Sequence, residues 1–544
     1  MTEISMEERV SVAITNTQAL YLSDDLPWVI GYSGGKDSSA VLQLVWLALS
    51  ALPPEKRTKP VHVISTDTLV ENPVVAIWVE NSLATMRIEA ERQGLPVQPH
   101  RLVPALKDRF WVNLIGRGYP APRPMFRWCT SRLKISASTK FINELADVCG
   151  EAILVLGSRK AESIARDRVL SKYENSTREL LSRNSDASMD RVWIYTPIAS
   201  WTSDDVWEYL ITNPNPWGYD NTALFHMYRG ASPDAECPLV VDKSTPSCGD
   251  SRFGCFVCTL VSEDKSMQAM IQNDDEKKWM APLLDFRNRY LKTEGDRVFR
   301  EFTRMDGKLT LQYVDASSSN QPPSPYRQTM VEETAGSGSV KKLKNVYLVH
   351  GPYTQVRREE LLYELLKTQR AVGELAPSSV REYQLISLEE VEEIRRIWVH
   401  EKHEFEDSVP AIYERAVDRP YPIAELDEAT PFRAGDMQLL RKVCDELFSV
   451  DDSADLSASY LHFRTLRDLL DIQHSYRSAL RRVGLTEKLD KALESGSFLN
   501  EEEALKFALL GEVLIDQEGK PLDEAQVAEI ETDSDQNYDE AIAP

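Results

Sequence analysis

WVIGYSGGKDSSAVLQLVWLAL, residues 28–49, sets two apolar runs on either side of a small polar turn. The first run is short, carries β-branched residues and suits a strand. The second is long and suits a helix. Between them lie Ser33, Gly34, Gly35, Lys36, Asp37, Ser38 and Ser39. Paired glycines let backbone approach a ligand closely, and N–H groups at a helix start favour negative charge. The serines can donate hydrogen bonds and Lys36 can neutralise charge. The turn is therefore read as an anion site. It is not the G-x-x-x-x-G-K-[ST] phosphate loop, because its glycines are adjacent and Asp37 follows the lysine.

The same strand-then-polar pattern recurs in VHVISTD, residues 61–67, and ILVLGSR, residues 153–159. Helix-like stretches separate these segments. Alternation of this kind predicts an α/β domain built on a doubly wound, mostly parallel sheet. Ligands of such sheets bind beyond the carboxyl ends of the strands. Asp67, Gly157 and Arg159 should then converge on the first loop, with Arg159 offering a fork for phosphate.

A chain of 544 residues is long enough for about three or four domains. The expected division is an α/β domain at 1–262 and a helical extension at 263–314. A Ser-, Pro- and Gly-rich linker or mobile loop follows at 315–345. A mainly helical region at 346–510 and an acidic, partly disordered tail at 511–544 complete the chain. Within the helical region, Ser387 and Glu390 predict a capping box, and Val391, Ile394, Ile397 and Trp398 share one helix face.

The formal net charge of -23 excludes nucleic-acid binding through the overall field. Residues 101–134 nonetheless hold eight Lys or Arg and one acid, Asp108, interleaved with Trp111, Tyr119, Phe126 and Trp128. Such a patch suits a nucleic-acid backbone with exposed bases, or a phosphate-rich cofactor pocket. No run of 18 apolar residues predicts a membrane span. The opening MTEISMEERV lacks a signal-peptide layout, so a cytoplasmic location is expected.

Seven cysteines argue against a disulfide framework. Four of them, Cys237, Cys248, Cys255 and Cys258, have a spacing able to hold zinc or an iron–sulfur cluster. Cys129, in MFRWCTSRLK, has Arg127, Arg132 and Lys134 nearby, which should lower its pKa. Cys149 and Cys444 are expected in packed helix faces.

The S-G-G-K-D-S run resembles the pyrophosphate-binding loop (PP-loop) of the ATP pyrophosphatases, relatives of the phosphoadenosine phosphosulfate reductases. The segment GSRKAES, residues 157–163, resembles the G-x-R-x-x-E-S segment of the latter. With FRWCTSRLK, PIASWTSDDVW and GSRFGCFVC, the set is similar to the DndC-type ATP pyrophosphatase/sulfurtransferases of bacterial DNA phosphorothioation. The resemblance covers roughly residues 28–260. It departs from sulfate-assimilating reductases in lacking a C-terminal E-C-G-x-H motif or an adjacent cysteine pair.

The resemblance implies that Ser33 to Ser39, Asp67, Gly157 and Arg159 bind ATP with Mg2+. Lys36, Asp37 and Cys129 are its catalytic candidates. It favours a 4Fe-4S cluster over zinc on the four clustered cysteines. The implied reaction is adenylation of a DNA backbone phosphate followed by sulfur incorporation. The implied partners are DNA, a cysteine desulfurase and other subunits of the modification system. The alternatives are a tRNA thiolation enzyme and a non-catalytic subunit gated by ATP and a cluster.

Overall fold

The structure, a computed structural model, describes residues 5–162, 164, 167–168, 171, 180–184, 186–232, 253–317, 323–335, 338–378, 380, 383–423, 430–448, 458–477, 481–496, 498 and 500–513. The chain divides into two compact units.

The first unit comprises Met1–Asn113, Ala121–Thr293 and Tyr363–Glu393. Its centre is a six-stranded sheet of order β3-β2-β1-β4-β6-β5. The strands are β1 (Trp28–Gly31), β2 (Val61–Thr66), β3 (Val97–Leu102), β4 (Ala152–Val155), β5 (Leu181–Arg183) and β6 (Val192–Tyr195). All pairings are parallel except that of β5 with β6. The expected doubly wound α/β sheet is therefore present. The chain leaves β1 towards β2 and β3, then returns to place β4 on the other side of β1. That reversal makes the carboxyl ends of β1 and β4 the switch point of the topology.

Helix α1 (Met6–Leu22) begins in a Ser5–Glu8 capping box. α2 (Lys36–Ser50) follows β1 and is buried at every position from Ser38 to Leu49 except Leu47, which fits its apolar run. α3 (Pro73–Gln93) starts with the Asn72 side chain accepting from Val74 N and Pro73 at its first position, and ends at Gly94 with φ 59°. α4 (Ser136–Cys149), α5 (Ser203–Thr212), α6 (Asn221–Gly230), α7 (Lys265–Asn273) and α8 (Ala281–Tyr290) complete this part of the unit. Val29, Ile64, Ile142, Leu154 and Val192 form a core between sheet and α4. Cys149, expected in the core, is exposed at the end of α4, where the helix stops at Gly150.

The second unit comprises Leu114–Pro120, Glu294–Leu362 and the described residues from Ile394 onward. It corrects the reading of 315–345 as a linker or mobile loop. Strands β7 (Leu311–Asp315), β8 (Arg327–Ala335) and β9 (Gly338–Leu348) form an antiparallel sheet of order β7-β9-β8. The Gly- and Ser-containing stretch joins β8 to β9 rather than linking domains. The C-terminal region is otherwise helical: α9 (Gln355–Leu375), α10 (Leu388–Arg396), α11 (Val409–Val417), α12 (Ala434–Phe448), α13 (Ala458–Ser475), α14 (Leu485–Gly496) and α15 (Glu501–Val513). Ser387 and Glu390 form the expected box, and Val391, Ile394, Ile397 and Trp398 are all buried. Cys444 packs with Val399, Phe405, Met437 and Phe463. The tail beyond Val513 lies outside the described residues. Among the described residues no helix is long and apolar enough to cross a membrane.

Candidate functional site

A cavity of about 1210 Å³ opens at the switch point. Its wall includes Ser33, Gly34, Gly35, Lys36 and Asp37 from the loop after β1, Asp67 and Glu71 after β2, and Arg159 and Glu162 after β4. The sequence-predicted residues Ser33 to Asp37, Asp67 and Arg159 are thus brought together. Ser38 and Ser39 are not on the wall. Ser38 Oγ donates to Gly35 O at 3.0 Å and accepts from Ser33 N at 3.2 Å, while buried Ser39 bonds Tyr32. Both serines shape the loop from behind.

The glycines have separate tasks. Gly34 sits at φ 72°, and a Cβ there would lie 2.4 Å from Val79 Cγ2. A Cβ on Gly157 would lie 2.9 Å from Asp37 O and 3.0 Å from Asp37 C. Gly157 therefore admits the loop itself, rather than a ligand, to the end of β4.

Asp37 organises the charges. Its Oδ1 accepts from Arg159 Nε at 2.7 Å and its Oδ2 from Lys36 Nζ at 3.1 Å. Arg159 is buried and also meets Trp201 O at 3.5 Å. Tyr228 OH accepts from Lys36 N at 3.4 Å. After β2, Asp67 accepts from Leu69 N at 2.8 Å and from Arg101 Nε at 3.1 Å. Two glycine N–H groups, a helix start and two cations suit a polyphosphate, so the wall fits the predicted ATP. In α5 the cap is Thr202, paired with Asp205, whereas Ser203 and Asp204 line the cavity.

Next to Asp67 the chain docks a cysteine knuckle. Glu71 pairs as an isolated antiparallel bridge with Cys255, Phe256 N donates to Val70 O at 3.0 Å, and Asn72 N donates to Gly254 O at 3.2 Å. Cys258 N donates to Cys255 O at 3.0 Å, closing a turn that holds both thiols. Buried Arg287 caps it by donating to Cys258 O from Nη2 at 2.8 Å and to Ser262 O from Nη1 at 2.7 Å. Cys255 Sγ lies 3.4 Å from Thr68 Oγ1 and 3.7 Å from Glu71 Oε1. Lys134 Nζ, on the cavity wall, reaches the same Glu71 oxygen at 3.3 Å.

Burial, then the Glu71 carboxylate, pushes the Cys255 thiol up to about 12. Burial also raises Cys129, with Cys258 adding to the shift. The expected acidification of Cys129 is therefore corrected. Arg132 pairs with Asp108 at 2.7 Å, and Lys134 divides its charge between Glu71, Cys255 and Cys129.

Cys237 and Cys248 lie outside the described residues. Among the described residues, no group of three Cys, His, Asp or Glu is placed to hold a metal. Cys255 and Cys258 share one turn and are the two of the four candidate ligands seen here. The basic patch is partly neutralised within the unit: besides Arg132 and Lys134, Arg101 pairs with Asp67 and Arg109 with Glu389 at 2.8 Å.

One residue was invisible to motif reading. Tyr383 donates from its hydroxyl to Glu71 O at 3.3 Å, across 312 positions of sequence. Burial first, then the charges of Asp67, Glu71 and Cys255, raise its pKa. No signal short of the fold links it to the loop.

Residues 27–218 match the family model of the phosphoadenosine phosphosulfate reductase domain. Among solved structures, phosphoadenylyl-sulfate (PAPS) reductase from Candida auris, in a phosphate complex, is 15% identical, covered over 40% of this chain and 90% of that one, with a TM-score of 0.23. Candida glabrata FMN adenylyltransferase, in complex with FAD and inorganic pyrophosphate, is 13% identical, covered over 50% and 76%, with a TM-score of 0.25. No curated protein matches the chain. The segment that supplies the Ser33–Asp37 loop, Asp67, Gly157 and Arg159 is accordingly similar to the phosphoadenosine phosphosulfate reductase domain over residues 27–218.

Proposed function

We propose that this chain is an ATP pyrophosphatase and sulfurtransferase that activates a DNA backbone phosphate for sulfur incorporation. The observation that carries the proposal is the joining of two features in one unit. The glycine loop with Lys36, Asp37 and Arg159 forms one wall of the cavity. The Cys255–Cys258 turn docks on residues 70–72, of which Glu71 lines the same cavity.

In this reaction a non-bridging oxygen of the DNA phosphate attacks the α-phosphorus of ATP. The Pα–O–Pβ bond breaks and pyrophosphate leaves against the loop N–H groups, Lys36 and Arg159. Sulfur delivered as a persulfide by a cysteine desulfurase, and reduced to sulfide by an external two-electron reductant, then attacks the adenylated phosphorus. The P–O bond to the adenylate breaks, and AMP departs with the original oxygen. Asp37 and Asp67 are, with Glu71, Glu162 and Asp204, wall carboxylates that would meet the Mg2+ that accompanies ATP. Cys129, raised rather than acidified by burial, would need a base, or a closer approach of Lys134, to receive sulfur as a thiolate. A 4Fe-4S cluster, or zinc in its place, on Cys237, Cys248, Cys255 and Cys258 would supply electrons or sulfide binding, or in the case of zinc structural support.

The test is release of pyrophosphate and AMP from ATP by the full chain, purified without oxygen, with DNA and a desulfurase present. Digested DNA is then analysed for phosphorothioate dinucleotides by mass spectrometry. Pyrophosphate release with transfer RNA and none with DNA would replace the acceptor. Iron and sulfide analysis of the same sample decides the cluster, and zinc without iron would reverse that assignment.

A further inference from the structure

Four Lys or Arg and no acid lie between Ala121 and Ile135. Within the unit, Arg132 and Lys134 are paired with Asp108 and Glu71. The aromatic residues separate in the same way. Trp111 and Trp128 are buried, and Trp128 stacks on Phe110 with centroids 5.2 Å apart, so neither can meet a base. Phe126 is 39% exposed, and the adjacent Met125 is 96% exposed.

Met125 and Phe126 stand on a built turn. Phe126 N donates to Arg123 O at 2.8 Å, and Arg123 N donates to Phe126 O at 3.3 Å. These reciprocal bonds close a two-residue tip, Pro124–Met125. Arg127 Nε donates back to Pro124 O at 3.2 Å. Thr259 Oγ1, next to Cys258, donates to Pro122 O and ties the base of the tip to the cysteine turn. The chain then runs into the segment whose Lys134, Ile135 and Ser138 line the cavity.

Scattered exposed apolar residues need no explanation. Here an adjacent pair is carried on a proline-stiffened turn between two arginines, and is anchored to the proposed sulfur site. Apolar side chains so placed can insert between base steps or stack on an unpaired base, while neighbouring guanidinium groups meet phosphate.

We propose that the 122–127 turn is a wedge for DNA, with Met125 and Phe126 contacting bases of an opened or single strand and Arg127 contacting its backbone. The proposal rests on the DNA acceptor argued above and adds how that acceptor is held. It places the DNA on the same face as the cavity wall formed by Lys134 to Ser138.

The test uses the full chain and short fluorescent DNA, single-stranded, duplex, and duplex with a central unpaired loop. Fluorescence anisotropy is followed over a salt series. The wild type should bind single-stranded and looped DNA more tightly than duplex. Met125→Ser with Phe126→Ser should weaken that binding about tenfold or more and erase the preference. Arg127→Ala should lower affinity for all three and reduce the salt slope by about one. ATP affinity should stay unchanged in every variant, since none of these side chains lines the cavity. Wild-type DNA binding that the double variant leaves intact would overturn the wedge and leave the proposed function standing. A wild type that binds ATP but none of the three DNAs would overturn both the wedge and the DNA acceptor. Tighter binding of transfer RNA than of single-stranded DNA would also overturn the DNA assignment.

Discussion

Arg159 Nε donates to Asp37 Oδ1 at 2.7 Å, joining the loop after β4 to the loop after β1 across 122 positions of sequence. The other oxygen of the same carboxylate takes Lys36 Nζ at 3.1 Å. Both cations of the anion site are therefore held by one acid, at the point where the strand order reverses. An incoming pyrophosphate group must compete with Asp37 for them. That competition keeps two buried or half-buried cations neutralised until ligand arrives, as buried charge requires.

Lys36→Ala tests the anion site. Loss of one charge aimed at the leaving pyrophosphate should slow its release about a hundredfold or more. The thermal midpoint should change little, because the Lys36 ammonium pairs with Asp37 of the same loop and the Lys36 N–H to Tyr228 survives the substitution. Stopped assays of pyrophosphate and circular dichroism melting read the two outcomes. Unchanged release would remove the loop from the chemistry.

Gly157→Ala tests the contact between the two loops. The new Cβ would stand 2.9 Å from Asp37 O, and that neighbour is backbone, which cannot swing aside. Overpacking of this kind costs about 1–3 kcal/mol. Urea denaturation should show that loss, and ATP should bind more weakly because the start of α2 must shift. Gly34→Ala should be at least as damaging, since φ 72° is strained for alanine and Val79 Cγ2 would lie 2.4 Å away.

Tyr383→Phe separates the two halves of the proposed reaction. The lost hydrogen bond to Glu71 O should cost about 1 kcal/mol of stability. ATP affinity should be unaffected, because Tyr383 is not on the cavity wall. Glu71 meets both Lys134 and Cys255, so sulfur incorporation should fall while pyrophosphate release persists. Parallel loss of both activities would make Tyr383 a packing residue only.

The sheet and its loop were legible because each of the three strands read from sequence ends in residues that cannot be buried without a reason: Tyr32-Ser33, Thr66-Asp67 and Gly157-Ser158-Arg159. Local chemistry gave Gly34 and Lys36 their roles. What stayed hidden depended on distance or competition. Tyr383 and Arg287 reach the site through the fold alone. The basic run at 101–134 reads as a nucleic-acid surface or a phosphate-rich pocket, yet Arg101, Arg109 and Lys134 meet carboxylates from other segments and Arg132 meets Asp108. Cys129 looked acidic by its neighbours, but burial outweighs them. The strands within 315–345 stayed hidden because Ser, Gly and Pro residues mask them; β8 and β9 nonetheless pair from Arg327–Val346 to Ala335–Gly338.

Lys402, in the second unit, makes stability depend on pH. Burial, then the nearby Arg358 guanidinium, lowers its pKa from 10.5 to about 8, against opposing pulls from Glu404 and Glu301 and with a further push from Arg467. Arg358 is itself buried and paired with Glu404, so it cannot withdraw. Below about pH 8 the amine is charged in both folded and unfolded chains, and the folded state carries the full penalty. As pH rises through 8 towards 10.5, the folded chain loses the proton first. The unfolded chain then binds more protons, and stability must increase. Lys402→Met removes the titration, so it should be more stable than wild type at pH 7. That advantage should shrink by pH 9.5. Urea denaturation of both proteins at the two pH values checks this, and an advantage that grows with pH would show that the carboxylates dominate the site.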